Sequence, residues 1–175
     1  MWRISQARID LNPLVSVTCS LGRTEITVNG NHSFSRRISL VYSNQQSNLP
    51  TTFRRLFVQQ SSGFPSPNPI DLTNLTFIDG TQGSLFQIKG LVLAARWPDN
   101  VIEARAYFTG RPDVVSDGYD GFWDLGVQRY YFTPQSPVVV LAGWLGGGIS
   151  SSKRRIRFDT LFGGVPSTLL VIWGD

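Results

Sequence analysis

Residues that favour helices are almost missing from this chain. Its 175 residues include 6 Ala, 2 Glu, 2 Lys and 1 Met. Against these stand 15 Val, 11 Ile, 12 Thr and 21 aromatic residues, which suit a pleated, half-buried surface. Seventeen Gly and ten Pro punctuate the rest. The inventory predicts an all-β chain with little helix. Its length fits a single domain over residues 1–175, a β-sandwich or jelly roll of roughly ten to twelve strands.

Period-2 alternation bounded by turn residues places strands at 3–11, 14–21, 24–29, 36–43, 53–60, 72–79, 85–96, 101–109, 127–133, 137–144, 153–161 and 168–173. Ile102, Ala104, Ala106 and Phe108 share one face of their strand, with Glu103, Arg105 and Tyr107 on the other. Leu169-Leu170-Val171-Ile172-Trp173 is continuously apolar and reads as a strand covered on both faces. Residues 51–60 fit a strand or a short helix, since Phe53, Leu56, Phe57 and Gln60 also follow a 3.6-residue period. Two stretches are neither strand nor simple turn. Residues 61–70 alternate Pro, which keeps the backbone extended and poor in donors. Residues 110–126 form a long irregular segment rich in Asp, Gly and aromatics, the kind usually kept for function.

Catalytic material is scarce. One His, one Cys and two Glu leave little for acid–base or nucleophilic chemistry. His32 follows Asn29-Gly30-Asn31 at an expected hairpin tip, and no Gly-x-Ser-x-Gly elbow occurs. Cys19 is alone, so no internal disulfide forms, and it continues an alternating strand face. No apolar run approaches the about 20 residues that span a bilayer, and the N-terminal residues lack a signal-peptide core. These features predict a non-enzyme that needs no cofactor, makes no membrane contact and is not secreted by a signal peptide.

The net charge is +4, carried by 14 Arg and only 2 Lys. Arg binds bidentately and stacks on rings, so an Arg-rich surface suits contacts with partners. The pairs Arg36-Arg37 and Arg54-Arg55 are dispersed; Lys153-Arg154-Arg155 with Arg157 is the one cluster. Arg154, Arg155 and Arg157 are expected at a partner contact, lifted to one edge by a hairpin between 137–144 and 153–161 across the Gly146-Gly147-Gly148 tip. That tip lacks the Lys-Ser/Thr and helix of a phosphate-binding loop. Nucleic acid is the less favoured partner, because no basic arm is present.

Within 110–126, Asp113, Asp117, Asp120 and Asp124 surround two glycines beside Tyr119, Phe122 and Trp123. Three uses compete with a purely structural one, in which the rings plug the core and the acids cap turns. The carboxylates suit calcium, although their spacing does not match a twelve-residue EF-hand loop. Rings beside acids suit a glycan. Phe64, Tyr119, Phe122 and Trp123 also supply the aromatic area that protein interfaces use.

In composition and expected architecture the chain is similar to small all-β proteins of viral particles, especially phage decoration, fibre and tail components. That resemblance implies a structural subunit of a virion, made in a host cytoplasm, whose partners are copies of itself and other assembly subunits. The rival reading is a lectin-like β-sandwich module that binds carbohydrate or calcium.

Overall fold

The computed structural model describes residues 4–11, 15–21, 24–30, 37–47, 49–98, 100–101, 103–110, 115–119, 121, 129–133, 138–141 and 148–175. These hold strands and no helix. In chain order they are β1 (Ile4–Leu11), β2 (Val15–Leu21), β3 (Thr24–Gly30), β4 (Arg37–Tyr42), β5 (Thr52–Phe53), β6 (Arg55–Ser61), β7 (Ile70–Asp71) and β8 (Leu75–Thr76). There follow β9 (Gln82–Gly83), β10 (Ile88–Arg96), β11 (Arg105–Thr109), β12 (Tyr130–Phe132), β13 (Val138–Leu141), β14 (Arg155–Phe162) and β15 (Ser167–Gly174). The all-β class required by the composition is what the chain adopts.

Three sheets carry the architecture. The first runs β3-β2-β1-β4-β5, the second β13-β10-β15-β6 and the third β12-β11-β14-β7. The second lies between the other two, because its side chains feed two separate cores. Leu91, Leu93, Ala95, Leu170, Ile172 and Phe57 pack with Ala106, Phe108, Phe132, Ile156 and Phe158 of the third sheet. Val92, Ala94, Leu169, Val171, Trp173 and Leu56 pack with Ile9, Leu40 and Phe53 of the first. Alternate residues of one strand thus point into different cores, as a pleated strand demands. The stack has three layers, one more than a simple sandwich.

The strand–helix ambiguity at 51–60 resolves as strand for the same reason. Leu56 and Val58 face one core while Phe57 faces the other, a division that period 2 satisfies and period 3.6 does not. A register shift between Ile88 and Gly90 puts one extra residue, Lys89, into β10. This bulge lets Ile88 share a core with Leu91, Leu93 and Ala95.

One pairing corrects the sequence reading. Segments 137–144 and 153–161 do not form a hairpin: β13 pairs with β10, and β14 pairs with β11 and β7. The patterns explain the separation. Val138-Val139-Val140-Leu141 is continuously apolar and suits the middle sheet, whereas Arg155-Ile156-Arg157-Phe158-Asp159 alternates and suits an outer one.

Candidate functional site

Strand β14 gathers the candidate residues that lie in the described part of the chain. Ile156 and Phe158 are each 1% exposed and anchor its inner face. Alternation then turns Arg155, Arg157 and Asp159 outward. At its start, two segments grip the backbone from opposite sides. The N–H of Leu72 donates to the Arg154 carbonyl at 2.8 Å, and the N–H of Tyr119 donates to the Arg155 carbonyl at 2.7 Å. The N–H groups of Arg154 and Arg155 both donate to the Asp117 carbonyl, at 2.7 and 2.9 Å. To present that carbonyl, Asp117 adopts a φ of 59°, which Asp tolerates better than most residues. Asp117, Tyr119, Arg154 and Arg155, drawn from two separate stretches of sequence, therefore meet.

The arginines at this meeting point face carboxylates of their own chain. Arg154 Nη1 lies 3.3 Å from Asp71 Oδ2 and its Nη2 lies 3.7 Å from Asp117 Oδ2. Arg155 Nε stands 4.0 Å from the same Asp71 oxygen, and Arg157 Nη2 is 3.3 Å from Asp159 Oδ2. Asp71 also accepts hydrogen bonds from Thr73 N at 2.9 Å and Thr73 Oγ1 at 2.6 Å. Burial works to raise the Asp71 pKa. The Thr73 hydrogen bonds, with the Arg154 and Arg155 charges, outweigh it and hold the carboxyl below its ordinary range. The basic cluster is thus matched by acids, an arrangement poorly suited to tracking a phosphate backbone.

The predicted aromatics divide. Tyr119 is fully buried within the core beneath the third sheet. Phe64 is half-buried, its ring 6.4 Å from that of Phe158. The Pro-alternating segment lies along β14 of its own chain, where Asn68 imitates a strand partner. Its Nδ2 donates to the Phe158 carbonyl at 2.8 Å, and its Oδ1 accepts from the Phe158 N–H at 3.0 Å. Phe122, Trp123, Asp113, Asp120, Asp124 and His32 lie outside the described residues.

A further set of residues was not singled out from sequence. On the outer face of the third sheet, Tyr107 pairs in register with Tyr131 on one side and Asp159 on the other. The two tyrosine rings meet edge to face at 5.9 Å. The Arg105 guanidinium lies over Tyr131 at 4.1 Å and that of Arg129 lies over Tyr107 at 4.6 Å. A register shift between Arg105 and Ala106 sets two residues of β14, Leu161 and Phe162, against Arg105. Both are left in solvent, 47% and 49% exposed, with Tyr131 at 40%. The sequence signal for this face was the Glu103, Arg105, Tyr107 alternation. What it lacked was any sign that β12 and β14 flank β11.

Between β6 and residues 66–78 lies a cavity of about 430 Å³, lined by Phe57, Gln59, Pro67, Ile70, Asn74 and Phe77 among others. Gln59 Oε1 is buried there without a hydrogen-bond partner among the described residues. No group of three His, Cys, Asp or Glu able to hold a metal ion occurs among the described residues. No protein-family model, curated protein or solved structure matches this chain.

Proposed function

We propose that this chain is a non-enzymatic structural subunit of a larger assembly, of the kind that serves as a capsid, decoration, fibre or tail protein in a phage virion. One observation carries the reading: the exposed group Tyr131, Leu161 and Phe162 beside Arg105. Large apolar residues gathered at one place on a surface mark contact sites, and aromatic residues with Arg are the types that protein interfaces enrich. The bulge that exposes both Leu161 and Phe162 deepens the point, since a regular strand would have buried one of them.

Light scattering and electron microscopy of the purified protein test this reading. The expected result is a symmetric oligomer or particle that Phe162→Asp disrupts while the far-ultraviolet circular dichroism of a β protein persists. A monomer at high concentration, unchanged by Phe162→Asp, overturns it. The binding-module reading draws on the cavity beside β6, whose size falls in the range of small-molecule sites. A thermal shift with glycans or calcium in a monomeric protein favours that alternative.

A further inference from the structure

We propose that the outer edge of β6, with the cavity beside it, receives an extended, uncharged segment of another protein chain as an added strand. This goes beyond the assembly reading and stands without it.

The ladder decides which way this edge faces. β6 pairs with β15 in unbroken register from Arg55 to Ser61. In an antiparallel pair the N–H and C=O of one residue point to the same side, and the side alternates along the strand. The Leu56 carbonyl accepts from the N–H of Ile78 at 3.0 Å, so Leu56 faces away from β15. Val58 and Gln60 face away with it. Neither their N–H nor their C=O groups meet a hydrogen-bond partner among the described residues. Ile78 thus closes the edge at one point, and two outward residues of the same strand stay open beyond it. Edges of this kind are usually blunted by charge, Pro or a bulge. Leu56-Phe57-Val58-Gln59-Gln60-Ser61 carries none of these.

The cavity of about 430 Å³ lies along the open stretch, since Val58 and Gln59 line it together with Ser66, Pro67 and Thr76. Phe57, Ile70 and Phe77 are its buried apolar walls. Asp71 is the one ionisable side chain in the lining, and Thr73 and Arg154 already engage it. Such a space suits an uncharged, apolar side chain. A strand laid against Val58 and Gln60 meets both needs at once. Its backbone supplies donors and acceptors at the two-residue spacing of the edge, and alternate side chains turn into the cavity. A sugar meets them poorly. Sugars rest on open ring faces, whereas Phe57 and Phe77 are 8% and 3% exposed, and the Arg55 guanidinium already lies over the Phe77 ring at 5.1 Å.

The experiment measures fluorescence anisotropy with a labelled, end-capped peptide of alternating Val and Thr, and far-ultraviolet circular dichroism checks the fold of each variant. The wild-type chain should bind the peptide, and free glucose should not displace it. Gln60→Pro removes an N–H that the β15 ladder does not use, so the fold should persist while the peptide binds about tenfold or more weakly. Thr76→Trp fills the mouth of the cavity from an exposed position, leaves the residues of β6 unchanged and should weaken binding to a similar degree. Ser39→Trp adds the same bulk at an exposed position on β4 and should leave binding unchanged. A wild-type chain that ignores the peptide, full binding by a folded Gln60→Pro or by Thr76→Trp, equal loss in Ser39→Trp, or displacement by glucose overturns the proposal. Should Gln60→Pro fail to fold, Thr76→Trp against Ser39→Trp decides.

Discussion

β10 and β15 differ from β11 and β14 in what their two faces meet. Both members of the first pair are buried on each side, Leu91 to Ala95 and Leu169 to Trp173 without a break. In the second pair β14 buries Ile156 and Phe158 and turns Arg155, Arg157 and Asp159 outward, while β11 leaves Arg105 exposed and buries Ala106 to Thr109. The ion pairs follow the same division. Lys89 and Asp175 meet at 2.7 Å with side chains 1% and 3% exposed, while Arg154 and Asp71 meet at 3.3 Å with 29% and 23% exposed. Over Leu91–Ala95 and Leu169–Trp173 neither face is free, so these residues answer only to packing. On β14 one face is open to solvent, and there Arg, Asp and exposed apolar residues are tolerated side by side.

Breaking the buried pair should give the largest effect. Lys89 is the bulge residue of β10; its Nζ also donates to Thr52 Oγ1 at 3.1 Å. Asp175 Oδ2 has no hydrogen-bond partner among the described residues, so Lys89 is its main compensation. Lys89→Met leaves a carboxylate buried without its counter-charge and should cost about 3–5 kcal/mol in urea unfolding. Adding Asp175→Asn should recover much of the loss, because the pair's attraction largely offsets its own desolvation. A cost below about 1 kcal/mol for Lys89→Met would place this pair with the surface ones and erase the contrast.

The same contrast governs what was legible in the sequence. The unbroken apolar run at 169–173 announced a strand covered on both faces, and the alternation at 104–108 set Ala104, Ala106 and Phe108 on the core side without showing that Tyr107 and Thr109 are buried as well. Local pattern records burial because burial acts residue by residue. It does not record which strands are neighbours, since Arg155 meeting Asp71 and Tyr107 meeting both Tyr131 and Asp159 are long-range pairings. Hence Arg154, Arg155 and Arg157 were found as a cluster, but the acids that face them were not. Likewise the Arg105 and Tyr131 stack was invisible as a unit, because its halves lie on strands far apart in the chain. The hairpin expected across the glycine tip failed for this reason, as proximity in sequence stood in for a pairing that the burial pattern forbids.

A second test adds atoms to each region. Gly90 sits opposite Trp173 in register, and a Cβ there would overlap the Trp173 ring. The ring cannot easily retreat, since its Nε1 donates to the Pro50 carbonyl at 2.7 Å and its surface is fully buried. Gly90→Ala should therefore cost about 1–3 kcal/mol by overpacking. Leu161→Ser on the third sheet should change stability by no more than about 0.5 kcal/mol, because the residue is already half in water. Equal effects at the two positions would mean that Leu161 is packed in the protein as it exists in solution, which light scattering would trace to a neighbouring subunit.

The smallest effect is electrostatic and appears only in acid. Against the opposing influence of burial, Thr73 and the two arginines hold the folded pKa of Asp71 below the ordinary carboxylate range. A carboxyl depressed in the folded state contributes stability in full above its unfolded pKa and loses it as pH falls through the folded one. Wild-type stability should therefore decline more steeply than that of Asp71→Asn below about pH 4, the difference reaching about 1 kcal/mol or less for a pair this close to solvent. Urea unfolding at a series of acid pH values reads the two slopes directly. The Lys89 and Asp175 pair provides the internal comparison, for added salt should shrink the Asp71 effect, whose charges are partly in water, and leave the cost of Lys89→Met nearly unchanged. If salt reduced both alike, the two pairs would share one dielectric environment, and the division between a closed middle sheet and an open outer face would fail.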